Sequence, residues 1–358
     1  MSKDIDIKSH KGNYQVYFNE FAIEDLNNNI PDNAHFIVDK NVAKIYKDKI
    51  NNVLNSKSLL IIEAIEANKS LDKFPAYVEH LVINSLRRGE ILIAIGGGII
   101  QDIVCFLAAT MLRGIEWSFY PTTLLSQADS CIGSKSSINS GGAKNILGTY
   151  TPPCKVHISA SFLDTLDQRE VLSGIGEMIK VHIIDGPLSF DKISQNYNEI
   201  LTSKEVMINF IYRSLAIKKI YIEIDEFDQG IRNIFNYGHS FGHAIESATN
   251  FFIPHGIAVS IGMDMANFFA MKMDIISKDI FNRMHPTLSE NYANYSDYPI
   301  PIEAFIKAIS KDKKNINSDQ VTLILLDKKS KVFKGSYENN LNFKKICEYY
   351  FLEVKVLE

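Results

Sequence analysis

The chain has 358 residues, 46% hydrophobic and 22% charged, with 38 Lys and Arg against 42 Asp and Glu and a net charge of −4. That length makes room for two ordinary domains, and the composition is that of a globular protein rather than a disordered or fibrous one. The charge balance excludes a broad basic face for nucleic acid, and no apolar run reaches the ~18 residues of a membrane span. The N-terminus, MSKDIDIKSHKGNYQVYF, lacks the apolar core of a secretory signal. Cys105, Cys131, Cys154 and Cys347 have no Cys-x-x-Cys spacing. They read as reduced core thiols of a cytoplasmic protein.

Short apolar runs at Tyr14–Phe18, His35–Val38 and Leu59–Ile62 read as strands. The spacing predicts a helix over Lys73–Arg88, a strand at Ile91–Ile95, a helix over Ile99–Arg113, and strands at Trp117–Tyr120 and Val156–Ile158. Strand and helix in alternation imply a mostly parallel sheet with helices on its faces. From about Asp167 the pattern turns helical, over Arg169–Ile184, Glu205–Glu223, Ser240–Thr249, Gly256–Met273 and Ile302–Ile309. Val321–Leu326 followed by KVFKG reads as a late hairpin. The expected architecture is an α/β nucleotide-binding domain over residues 1–166 and an otherwise all-helical domain over residues 167–358, with the active site in the cleft between them.

Ile91–Asp102 reads ILIAIGGGIIQD, an apolar strand running through Gly96, Gly97 and Gly98 into a helix. Such a turn lets the backbone approach a pyrophosphate at the helix N-terminus. It is GGGxxxD rather than GxGxxG, and a triple glycine alone is as often a plain tight turn. Its context adds weight. Asp39-Lys40-Asn41, Glu66 with Lys69, Pro121-Thr122-Thr123 and Gln127-Ala128-Asp129 all follow expected parallel strands, where α/β folds hold ligands.

Three segments of the helical half carry metal-ligating residue types: GIGEMIK with Glu177 and Lys180, NYGHSFGHAIE with His239 and His243, and PHGIAV with His255. A catalytic zinc takes three protein ligands from His and carboxylates and keeps one position open. Spacing alone favours His239 and His243 as a pair on one helical face. A lone helical histidine is more often a hydrogen-bonded core residue, but three histidines beside glycines and a glutamate shift that balance.

These motifs, with AIGGGIIQD, YPTTLLSQADSCIGSK, AKNILGTY and DEFDQGIRNIFNYGHSFGHAIE in that order, resemble the dehydroquinate synthase family of sugar-phosphate cyclases from about Asp39 to Leu325. The resemblance implies NAD and one divalent metal, zinc or alternatively cobalt, held by Glu177, His239 and His255, with His243 a substrate contact. It implies that NAD meets Asp39, Asn41, Glu66, Lys69, Gly97, Gly98, Asp102, Thr122, Thr123 and Asp129, with Lys135 and Lys144 close by. It assigns Arg113, Lys135 and Asn145 to the substrate phosphate, and Lys144, Lys180, Asn236 and His243 to the reacting centre, Lys135 among the catalytic group. Lys218 and Arg232 would grip a carboxylate, and Lys314 a phosphate. The implied reaction turns a seven-carbon keto-acid sugar phosphate into 3-dehydroquinate by transient oxidation, phosphate elimination, reduction and aldol closure. The implied protein is a homodimer with a small-molecule substrate and no nucleic-acid or membrane partner.

The chain departs from the family pattern at three places. Ile257 replaces the glutamate of HGEAV, Gly133–Asn139 reads GSKSSIN where GGKTAVN is usual, and Lys180-Val181-His182 replaces KYG. None removes a ligand. Two other activities stay open: a cyclase making a cyclitol precursor, and a metal-dependent polyol dehydrogenase. A carboxylate-free substrate would leave Lys218 and Arg232 without their anion, and polyol dehydrogenases usually carry aspartate at the first ligand position.

Overall fold

The apolar runs of the first half become strands β1 (Ile5–Ile7), β2 (Tyr14–Phe18), β3 (Ala34–Asp39), β4 (Leu59–Ile62), β5 (Ile91–Gly96) and β6 (Glu116–Pro121). A hairpin of β7 (Lys135–Ser140) and β8 (Ala143–Tyr150) follows, then β9 (Lys155–Ile158). The computed structural model describes residues 4–311, 315 and 319–356. Seven strands form one sheet in the order β1-β2-β9-β6-β5-β3-β4, parallel except for the β1–β2 pair. β3 and β5 are buried along nearly their whole length, as expected of parallel strands covered on both faces.

Helices α1 (Ala22–Asn28), α2 (Lys40–Ile45) and α3 (Asn51–Leu54) pack Ile23, Leu26, Val42, Tyr46 and Val53 with Phe36, Val38, Ile93 and Ile95 in one apolar cluster. Helices α4 (Phe74–Ile83) and α5 (Gly98–Thr110) complete this part of the chain. The chain leaves β3 for β4 on one side and then returns to β5 on the other. The carboxyl ends of β3 and β5 therefore flank a reversal of strand order, the usual ligand crevice of open α/β sheets.

The second half contains α6 (Gln168–Asp185), α7 (Pro187–Gln195), α8 (Tyr197–Thr202), α9 (Lys204–Ile224), α10 (His239–Ala248), α11 (His255–Lys272), α12 (Lys278–Tyr292) and α13 (Ile302–Ser310). The hairpin β10 (Gln320–Leu326) and β11 (Val332–Glu338) and helix α14 (Leu341–Tyr349) end it. α11 is buried on every side from Gly256 to Ala270, so it is the core element of the helical part. The chain clusters into two units. One comprises the residues up to Asp167 together with Ile211–Asp228, and the other Gln168–Phe210 and the residues from Gln229 on. Ile211–Asp228, read from the sequence with the helical half, thus clusters with the sheet. No helix among the described residues is long and apolar enough to cross a membrane. Burial pushes the Cys105 thiol up to about 11 and that of Cys131 up to about 12, so neither is a ready nucleophile.

Asp264 of α11 is fully buried and still carries a charge-capable carboxyl. It accepts from Tyr292 Oη at 2.7 Å, Tyr350 Oη at 2.8 Å and His285 Nδ1 at 2.9 Å, which ties α12 and the C-terminal segment to α11. The hydrogen bond to Asp264 raises the His285 pKa above its ordinary value despite partial burial. Stability from that pair is therefore full below about pH 6.5 and is lost as pH rises through the raised value. Tyr350→Phe should cost about 1.5–3 kcal/mol, the usual worth of a hydrogen bond to a charged group. The stability gap between wild type and His285→Gln should shrink as pH rises, measured by denaturant unfolding; a gap independent of pH would contradict the ion pair.

Candidate active site

The glycine turn closes β5 onto α5. A Cβ at Gly96 would lie 2.5 Å from Ile100 Cγ1, and one at Gly97 3.0 Å from Thr123 Cγ2, so the turn packs against its own helix and against the end of β6. Thr122 N donates to Gly96 O at 3.0 Å, and Thr123 Oγ1 meets Ser126 Oγ at 2.8 Å. Asp39, at the end of β3, accepts from Asn41 N at 2.8 Å; burial holds its carboxyl above the usual range.

Next to the turn lies a charged cluster. Lys69 Nζ donates to Asp102 Oδ2 at 3.0 Å and Asn145 Oδ1 at 2.9 Å, with Glu66 Oε1 at 3.6 Å. Ser137 N donates to Asp102 Oδ1 at 3.0 Å. Burial raises the Asp102 carboxyl and Lys69 opposes it. Asn139, which the motif reading left without a role, joins Asn145 N at 2.9 Å to Glu66 Oε1 at 2.8 Å. The structure thus brings Glu66, Lys69, Asp102 and Asn145 together. Lys135 pairs with Asp228. The buried Lys218 lies 2.5 Å from both the main-chain oxygen and Oδ1 of Asp129. Lys144 is exposed on β8.

Arg113 lies away from the glycine turn. It follows the C-terminal end of α5, and 13 helical residues at ~1.5 Å each put ~20 Å between that end and the glycine turn. Lys314 lies outside the described residues.

In the helical unit, α11 runs against α6 and α10 at backbone contact. A Cβ on Gly256 would sit 1.8 Å from Ser173 O, one on Gly176 2.1 Å from Gly256 O, and one on Gly262 2.1 Å from Gly238 O. Gly238 also needs a left-handed φ of 76° to start α10. Glu177, His239 and His255 each neighbour one of these glycines, so the crossings bring all three together. Glu177 Oε1 lies 3.6 Å from His239 Nε2 and 3.5 Å from His255 Nε2.

These separations are too long for good hydrogen bonds. They match the ~3.4 Å expected between donors that share a tetrahedral ion at ~2.0–2.1 Å. The residues present therefore fit a divalent metal. Each imidazole directs Nε2 inward because Nδ1 is occupied: His239 Nδ1 donates to Tyr237 O at 3.1 Å, and His255 Nδ1 to Glu246 Oε2 at 3.2 Å. Burial disfavours the His255 imidazolium, but Glu177 and Glu246 outweigh it and hold the group up to about 10, a mark of a pocket that favours a cation.

His243 also lies close, its nitrogen within 4.8 Å of those of His239 and His255. A three-histidine set is thus possible on distance alone. Glu177 is buried and faces both rings, whereas His243 is exposed. Lys180 pairs with Glu177 and stands 5.8 Å from the Phe235 ring centre. Arg232 is buried in the turn Ile231–Asn236, where Asn236 Nδ2 donates to Asn233 O at 3.1 Å. Glu246 escaped the sequence reading. Its signal was its position seven residues after His239, two turns along the same face.

The model of the 3-dehydroquinate synthase N-terminal domain matches residues 59–173, and that of the C-terminal domain residues 174–315. The chain belongs to the 3-dehydroquinate synthase family. The 3-dehydroquinate synthase of Thermoanaerobacter sp. (strain X514) is 36% identical over 90% of this chain and 92% of its own length. That of Clostridium tetani (strain Massachusetts / E88) is 36% identical over 85% of this chain and 82% of its own. Among solved structures, a 2-deoxy-scyllo-inosose synthase complexed with carbaglucose-6-phosphate, NAD+ and Co2+ superposes with a TM-score of 0.84. It is 23% identical and covers 98% of this chain and 99% of that one, which establishes the shared fold.

For a member of this family the α6–α11 crossing makes a sharp test. Alanine at Gly256 would gain about 1 kcal/mol of helix propensity, but overlap with Ser173 should cost about 3 kcal/mol or more. Gly256→Ala should therefore melt earlier and lose zinc in dialysis. Wild-type melting and zinc content would contradict the crossing.

Proposed function

We propose that this chain is a 3-dehydroquinate synthase, a carbon–oxygen lyase that converts a seven-carbon keto-acid sugar phosphate into 3-dehydroquinate and phosphate. The observation that carries the reading is the Glu177, His239 and His255 cluster with Lys180 beside it, in a chain of this family. In this reading those three residues hold the divalent ion, zinc or cobalt. The glycine turn, Asp39, Asn41, Glu66, Lys69, Asp102, Thr122, Thr123 and Asp129 hold NAD. When bound, NAD supplies a hydride acceptor that is regenerated, and the ion supplies Lewis acidity toward a substrate hydroxyl.

The chain's own residues orient the substrate and neutralise charge. Lys135 and Asn145 meet the phosphate and hold it as it leaves. Lys144, Lys180, Asn236 and His243 face the reacting centre. Lys218 and Arg232 bind the carboxylate, and binding there requires Lys218 to exchange Asp129 for the substrate anion. Arg113 serves the substrate phosphate, and the reading includes a homodimer. The setting it implies is the cytoplasm, in aromatic biosynthesis.

A second reading, a cyclase for a carboxylate-free sugar phosphate, is favoured by one observation: Lys218 already has an anion in Asp129. One experiment separates the two. The chain loaded with NAD and zinc is given either the heptulosonate phosphate or a hexose phosphate, and products are followed by NMR. We expect 3-dehydroquinate from the acid, with phosphate release far exceeding NADH. Arg232→Met should weaken use of the acid by about one to two orders of magnitude. Stoichiometric NADH with intact phosphate would mean a dehydrogenase. Turnover of the hexose phosphate alone would mean a cyclitol-forming enzyme.

A further inference from the structure

We infer that Glu246 is a positioning residue for the metal centre: its carboxylate fixes the tautomer of His255 and strengthens Nε2 as a metal donor. The inference rests on the reading of Glu177, His239 and His255 as ligands. The two histidines are held unequally. His239 Nδ1 meets a neutral main-chain oxygen, that of Tyr237, at 3.1 Å. His255 Nδ1 meets a carboxylate, that of Glu246, at 3.2 Å. A carboxylate partner withdraws the Nδ1 proton further and leaves Nε2 more basic.

The local fold explains why Glu246 is there. His239 opens α10 and Glu246 follows seven residues later, so both point from one face toward α11. Gly242, between them, allows the approach: a Cβ there would stand 3.1 Å from Ala258 O. The side chain of Glu246 is 13% exposed, so its charge is little screened by water.

Charge gives Glu246 a second effect. The ammonium of Lys180 sits on Glu177 Oε2 and offsets that carboxylate's charge. Glu246 adds a second carboxylate beside His255. Removing it weakens the pocket's preference for a divalent cation without removing a ligand. The main-chain oxygen of Glu246, which accepts from Phe251 N at 2.7 Å in the turn between α10 and α11, is untouched by a side-chain change.

The test uses zinc alone, without NAD or substrate, in competition with a chromophoric chelator. Glu246→Gln keeps the side chain's size and loses its charge. Zinc affinity should fall about 10- to 100-fold, the usual effect of removing such a partner, and the absorption bands of the cobalt form should shift. Glu246→Asp should recover part of the affinity, which a merely structural role for the side chain's bulk would not predict. The metal-free Gln variant should still unfold in one cooperative transition, so that a lower zinc affinity reports the site and not a lost fold. Wild-type zinc affinity and an unchanged cobalt spectrum in Glu246→Gln would overturn this inference and leave the metal reading standing. Failure of the wild type itself to retain zinc would overturn both.

Discussion

Helix α11 lies against α6 and α10 so closely that main-chain atoms touch, and the geometry of the Glu177, His239 and His255 cluster depends on that contact. At Gly176 and Gly256 there is no room for a methyl group, and the same holds where Gly262 meets Gly238. A glycine in a helix interior costs about 1 kcal/mol against alanine. Here that cost is offset by an approach that brings Glu177 Oε1 within 3.6 Å of the Nε2 atoms of His239 and His255. Further hydrogen bonds pin the crossing: Gly256 N to Ser173 Oγ at 3.0 Å, and Asn291 Nδ2 to Leu172 O at 3.1 Å and Ser260 Oγ at 2.8 Å. Backbone contact is less adjustable than side-chain contact, so these three side chains are fixed by helix placement more than by rotamer choice.

The sheet unit manages charge differently. Its cations are paired with anions of the same unit: Lys69 with Asp102, Lys135 with Asp228, and Lys218 with Asp129. A buried ammonium left without an anion is costly, and the pairs remove that cost. Under the proposed function, an incoming phosphate or carboxylate would have to compete with a resident carboxylate.

Much of this was legible in the sequence. Period-2 and apolar runs marked β2 to β6 and β9 within a residue or two, because strands in a parallel sheet are apolar on both faces. Period 3.6 marked α5, α6, α9, α10, α11 and α13. The short α1, α2 and α3 escaped, since four to seven residues give too few turns to show a period. α12 escaped because Pro286 lies inside it. The β7–β8 hairpin was missed although Gly141-Gly142, both at positive φ, form its two-residue turn. At the site, spacing singled out His239 and His243 because they share a helical face. It carried no sign that Glu177 stands between His239 and His255, since that depends on how three helices cross.

The most direct measurement of the central claim is X-ray absorption at the zinc edge of the zinc-loaded chain. Outer-sphere scattering counts coordinated imidazoles. Two imidazoles with a carboxylate oxygen are expected in the first sphere, from His239, His255 and Glu177. Three imidazoles would bring His243 in and put Glu177 out, and that result would contradict the claim.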